Sequence, residues 1–121
     1  MAQMPLYSTR GDFAGMFVDG YLHNNQGEWI GFTDSQGQVY SVAGEYVGWL
    51  NKDGRVLRKR VIDFTIPRRS PPPRPARIKL PPTMPLPSLM AELSHDTIDV
   101  FDETPDRLYT VDADPHAKDI D

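Results

Sequence analysis

The chain has 121 residues, 39% of them apolar, with no cysteine, 12 prolines, 9 glycines and a formal net charge of -4. That length supports one small core and excludes a large multidomain enzyme, and the lack of cysteine excludes a disulfide scaffold, a cysteine-ligated metal or cluster, and thiol chemistry. No stretch approaches the ~20 apolar residues needed to span a bilayer, and Met1 to Gly11 carries no signal-peptide core, so a soluble cytoplasmic chain is expected.

Composition divides the chain near residue 66. All nine glycines fall between Gly11 and Gly54, and nine of the twelve prolines fall between Pro67 and Pro87. Charge divides it differently: residues 1–51 sum to -4, residues 52–79 to +8 and residues 80–121 to -8. Three regions are therefore expected: a β-hairpin repeat domain over 1–66, a Pro/Arg-rich extended arm over 67–87, and an acidic tail over 88–121 with a short helix and a disordered end.

The first region is built on a repeat. Gly11-Asp12-Phe13-Ala14-Gly15-Met16 recurs as Gly27-Glu28-Trp29-Ile30-Gly31-Phe32 and as Gly44-Glu45-Tyr46-Val47-Gly48-Trp49, starting 16 and 17 residues apart. An aliphatic residue stands five positions before each first glycine (Leu6, Leu22 and Val39), and Val56 extends the series to a fourth unit. Ser8-x-x-Gly11, Asn24-x-x-Gly27, Asp34-x-x-Gly37, Ser41-x-x-Gly44 and Asn51-x-x-Gly54 each place a side-chain acceptor first and a positive-φ residue fourth, as a type I turn with a glycine bulge requires. Asp19-Gly20 supplies a sixth turn. The spacing predicts an all-β, up-and-down antiparallel meander of four hairpins, with Val61–Ile66 as the eighth strand.

Gly15, Gly31 and Gly48 lie inside strands, where glycine marks a close approach of backbone. A ring of four hairpins supplies that crowding. Strict alternation sets Phe13, Trp29 and Tyr46 on the face of these glycines, and Ala14, Ile30 and Val47 on the other with Met16, Phe32 and Trp49.

These strings resemble the four-fold β-flower domains, small uncharacterised bacterial proteins with about four hairpin petals around a pseudo-symmetry axis. The resemblance covers about residues 5–66, with the Pro/Arg stretch as weaker support. It implies a fold and transfers no catalytic residue.

Nine prolines in 21 positions exclude a helix interior from the arm and make polyproline II its default. Pro72-Pro73-Arg74-Pro75-Ala76-Arg77 and Pro82-Thr83-Met84-Pro85 carry PxxP spacing, which suits a ligand for an external domain. The alternative is a brace laid across the petals, with Ile78, Leu80, Met84 and Leu86 as apolar teeth, and this is the expectation here. In the tail, a helix over Ser88–Glu103 capped by Ser88 and a short strand over Leu108–Val111 are expected.

No nucleophile elbow, phosphate loop or dinucleotide fingerprint is present. His23 takes the repeat position of Tyr7 and Tyr40, which suits packing. His95-Asp96 and Asp112-Ala-Asp114-Pro-His116 lack the further ligands a metal site needs. Glu28, Glu45 and Asp12 recur beside turns, where cross-strand pairing explains them. The chain is read as no enzyme, with no catalytic, metal or cofactor site and no cofactor. The expected function is a non-catalytic binding or scaffold module for a protein or a small apolar ligand. Its candidate surface is Trp29, Phe32, Tyr46 and Trp49, with Arg58, Lys59 and Arg60 as a charged edge. The alternative is binding of nucleic acid or anionic lipid through the basic segment 55–79, opposed by neutralisation from the acidic tail.

Overall fold

A computed structural model describes residues 3–61, 66–87 and 89–111. Among them are eight strands, each antiparallel to its sequence neighbour: β1 Gln3–Tyr7, β2 Phe13–Val18, β3 Tyr21–Asn24, β4 Trp29–Thr33, β5 Gln38–Ser41, β6 Tyr46–Leu50, β7 Val56–Lys59 and β8 Thr97–Asp99. Pairs β1/β2, β3/β4, β5/β6 and β7/β8 are four petals. The first three close at their tips through Gly11 N–H to Ser8 O, Gly27 N–H to Asn24 O and Gly44 N–H to Ser41 O, at 2.9–3.0 Å. The Asn24 Oδ1 accepts from the amides of Gln26 and Glu28, and the Ser41 Oγ from those of Ala43 and Glu45, so the acceptor at the first turn position organises the loop. Asp19 at φ 50° and Gly20 at φ 90° form the tight turn between β2 and β3.

The repeat converts directly into a core. Leu6, Leu22, Val39 and Val56, one from each petal, are all 0% exposed and meet in one cluster, which requires the sheet to curl about them. The ends of the curl meet without a β1–β8 ladder. Tyr7 donates its amide to Gly54 O at 2.9 Å, and Thr9 donates its amide and hydroxyl to Asp99 Oδ2 at 2.5 and 2.6 Å. Gly15, Gly31 and Gly48 sit where each petal meets the next. A Cβ on them would strike the carbonyl oxygens of His23, Tyr40 and Leu57, three residues at one repeat position. The crowding inferred from the sequence is therefore backbone against backbone.

Strict alternation does not hold within the petals. The register shifts between Leu6 and Tyr7, between Leu22 and His23, and between Val39 and Tyr40, so Ala14, Ile30 and Val47 are each the extra residue of a bulge. The bulge turns Ile30 and Val47 into the axial aliphatic cluster and gathers Trp29 and Phe32 with Tyr40 and Val42 into a second one.

The fourth petal departs most from expectation. Residues 62–65 of the predicted eighth strand lie outside the described residues, and β8 holds the eighth place, paired with β7 through Leu57 and Asp99, Arg58 and Ile98, and Lys59 and Thr97. The predicted helix cap Ser88 also lies outside the described residues. The observed helix, α1, is only Val100–Glu103, capped by Asp99, whose Oδ1 accepts from the Phe101 amide at 3.0 Å. The stretch expected as a strand over Leu108–Val111 follows a 3₁₀ turn at Pro105–Arg107 and pairs with no strand; Leu108 enters the axial core.

Candidate functional site

The arm runs along the petal tips. Arg69 donates its amide to Gly44 O on the third petal and Ile78 donates its own to Gly27 O on the second, each at 3.0 Å, and the ring of Pro87 lies against Gly11 on the first. Tyr7 OH donates to Pro85 O, and Arg77 Nε to Gln26 O at 3.1 Å. Pro72 and Pro75 are half-buried while Pro71, Pro73 and Arg74 between and beside them are exposed, so the prolines of the first PxxP stretch are turned towards the petals, whereas Pro82 and Pro85 of the second are exposed. These contacts form a brace, with Ile78, Leu80 and Met84 half-buried as expected, but Leu86, expected as a fourth apolar tooth, is 92% exposed.

Between the arm and the second petal lies a cavity of about 600 Å³, walled by Asp19, Tyr21, Phe32, Asp34, Arg69 and Pro72. The β-hairpin turns place its groups. Asp34 opens the β4–β5 turn, where its Oδ1 accepts from the amides of Gln36 and Gln38, and its Oδ2 is left to face Arg69 Nη2 at 3.4 Å. Arg69 Nε also donates to Tyr40 OH at 3.1 Å, with the guanidinium carbon 5.5 Å from the Tyr40 ring centre. Phe32 stacks on Tyr40 at 5.5 Å, and Tyr21 meets Trp29 edge-on at 6.3 Å. Asp19 is exposed at the mouth of the cavity. A second cavity of about 620 Å³ between the first two petals and α1 is lined mainly by polar groups, including Arg10, Asp12, Glu28 and Asp102.

The aromatic residues nominated from the sequence divide by depth. Trp29 and Phe32 are 6% exposed, and the Trp29 indole donates to Gly31 O at 2.7 Å. Tyr46 and Trp49 are half-buried. Burial pushes the Tyr46 hydroxyl pKa up, aided by the neighbouring Tyr40. Of the nominated cations, Arg58 is buried, which lowers its pKa, and the nearby Arg107 lowers it further. Lys59 pairs with Asp96 at 3.1 Å, and Arg60 donates to His95 O and faces Glu103 at 3.7 Å. Asp96 is held at about 2 by hydrogen bonds from Ser94 and Lys59.

Elsewhere in the basic segment, Arg55 is 1% exposed, with Nη2 at 2.6 Å from Asp53 and donating to Ala91 O at 3.0 Å. Burial pushes the Asp53 carboxyl up, but hydrogen bonds from Arg55 and Asn51 outweigh it and hold the group low. Arg68 faces Glu45 at 3.4 Å. Much of the positive charge of segment 55–79 therefore already faces carboxylates.

His23 is 1% exposed, as its repeat position suggests, and its Nδ1 has no partner. Asp112, Asp114 and His116 lie outside the described residues. Among the described residues no group of three His, Cys, Asp or Glu stands ready to hold a metal, and no helix is long and apolar enough to cross a membrane.

A family model described as 4-fold beta flower protein matches residues 4–101. The chain belongs to that family. The match runs past the third petal through the arm to β8 and the start of α1, so the beta flower unit includes the belt as well as the petals. No curated protein and no solved structure gives a significant match to the chain. Missed by sequence reasoning were Tyr21, Asp34 and Arg69, because each looks local: one aromatic in a strand, one turn aspartate, one arm arginine. The signal was Arg69 three residues before Pro72, a basic residue in phase with the PxxP prolines.

Proposed function

We propose that the chain is a non-catalytic binding module that takes its ligand in the cavity between the second petal and the arm. The observation that carries this reading is the wall itself: two aromatic rings, Tyr21 and Phe32, converge with the carboxylates of Asp19 and Asp34 and the Arg69 guanidinium on about 600 Å³. An apolar pocket with a few convergent polar groups is the usual form of a ligand site. Of the aromatic surface anticipated on Trp29, Phe32, Tyr46 and Trp49, only Phe32 lines this cavity, joined there by Tyr21.

The probe is 8-anilinonaphthalene-1-sulfonate, whose rings suit the aromatic wall and whose sulfonate suits Arg69. Saturable fluorescence enhancement is expected, weakened about tenfold by Tyr21→Ala, an effect of about 1.4 kcal/mol. Unsaturable enhancement, or equal affinity for a folded Tyr21→Ala chain, would overturn the reading.

A further inference from the structure

We propose that this groove recognises a polyproline II strand with a basic residue three positions ahead of its first contacting proline, and that the chain's own Arg69–Pro75 is a copy of that ligand bound in cis. The inference rests on the groove being a binding site.

The arm shows how such a strand is read. Along the arm and its flanks, Ile66, Pro72, Pro75, Ile78, Met84, Pro87 and Met90 are half-buried in one phase of a period of three, in which Arg69 and Pro81 are exposed, and Leu80 is half-buried out of phase. Polyproline II has three residues per turn, so this period means one ridge of the strand lies on the petals. The contacts with successive petal tips, at Arg69, Ile78 and Pro87, are nine residues apart. Nine residues are three full turns, which return the same ridge to each tip.

Arg69-x-x-Pro72-x-x-Pro75 is the part of that ridge at the groove. Arg69 reaches Asp34 at 3.4 Å and Tyr40 OH at 3.1 Å, and Pro72 shares the cavity wall with Tyr21 and Phe32. Domains that bind proline-rich segments use this division, with aromatic walls for proline rings and an acid for the flanking base. Asp19, exposed at the mouth and in none of the ion pairs among the described residues, adds negative charge suited to a basic ligand. The cis strand lines the cavity through Arg69, Ser70 and Pro72. The occupant that takes its place is a proline-rich, basic segment of a partner protein. It competes with a tethered segment whose effective concentration is of millimolar order, so apparent affinity falls with the fraction of time the arm lies closed.

The test is fluorescence anisotropy with a labelled peptide of residues 67–77, titrated into the full chain and into Arg69→Ala/Pro72→Ala. The double variant is expected to bind at least about tenfold more tightly than the wild type, because its own ridge no longer competes. Adding Asp34→Asn, which keeps the turn acceptor but removes the charge, should reverse most of that gain. Equal affinity for wild type and double variant, or undiminished binding of a peptide with every proline replaced by alanine, would overturn the proposal. Thermal melts of each variant establish that it is folded, and Tyr21→Ala in the double-variant background gives a second folded chain in which peptide binding must weaken. If the dye binds the groove and the peptide does not, the groove reading stands and this inference falls; if neither binds, both fall.

Discussion

His23 shows how one substitution within a repeat changes the chemistry of a position. Tyr7, Tyr40 and Leu57 occupy the same place in the other petals, and all four are buried, but only His23 brings an imidazole to that place. Burial pushes its pKa below 6.5, partly opposed by a hydrogen bond with Gly27, and its Nδ1 has no partner to share a second proton's charge. With the folded pKa depressed, the unfolded chain takes up the proton first as pH falls, so stability is full above the unfolded value near 6.5 and declines below it. We expect the urea midpoint to fall between about pH 7.5 and pH 5.5, and His23→Tyr to flatten that slope. A slope unchanged in the variant would place the titration elsewhere. The carboxylates separate cleanly from this window: Asp53 is held low and Asp96 at about 2, so their contribution is lost only in more acidic solution.

At the scale of elements, the spacing between petals depends on glycine. A Cβ at Gly48 would meet the Leu57 carbonyl oxygen, and Arg58 Cβ lies at 3.3 Å behind it, so neither backbone nor side chain can move aside cheaply. Gly48→Val should therefore cost roughly 4 kcal/mol or more, the range reserved for backbone strain and core overpacking, read as loss of the cooperative thermal transition or a large fall in its midpoint. A melt within a degree or two of wild type would show that the petals can spread. This feature was legible in the sequence because the glycines recur at a place where turns are not needed, as were all six turns, whose acceptors and glycines are local. The bulges were not. A register shift depends on what the facing strand does, and nothing in Phe13-Ala14-Gly15 marks Ala14 as the residue left unpaired. The same holds for the candidate groove, since Tyr21, Asp34 and Arg69 meet only because the belt crosses the tip of the third petal. β8 was hidden for a further reason. Three residues within an acidic stretch carry little strand signal, and their role comes from β7, which otherwise has an open edge.

At the scale of the molecule, the chain returns to its start. After the fourth petal's first strand, the belt passes the third, second and first petals before β8 comes back to β7. The last described segment therefore supplies parts the first 66 residues need: Val100 at 0% and Leu108 at 7% exposure fill the axial core, and Ile98 on β8 is buried as well. Asp99 holds Thr9, and Ala91 O accepts from the buried Arg55. Removing a buried aliphatic side chain typically costs about 2–5 kcal/mol, and a domain's whole stability is about 5–15 kcal/mol. Losing three such side chains, the β7–β8 ladder and the Asp99 hold on Thr9 together exceeds that margin. A chain ending at residue 94 keeps every petal motif and the arm, yet it should show no cooperative unfolding transition by near-ultraviolet circular dichroism. A sharp transition within a few degrees of the full chain would mean that the petals are a self-sufficient domain and that β8 and the axial residues after it are an accessory. The family match through residue 101 points the other way, because it ends just past the strand that completes the fourth petal.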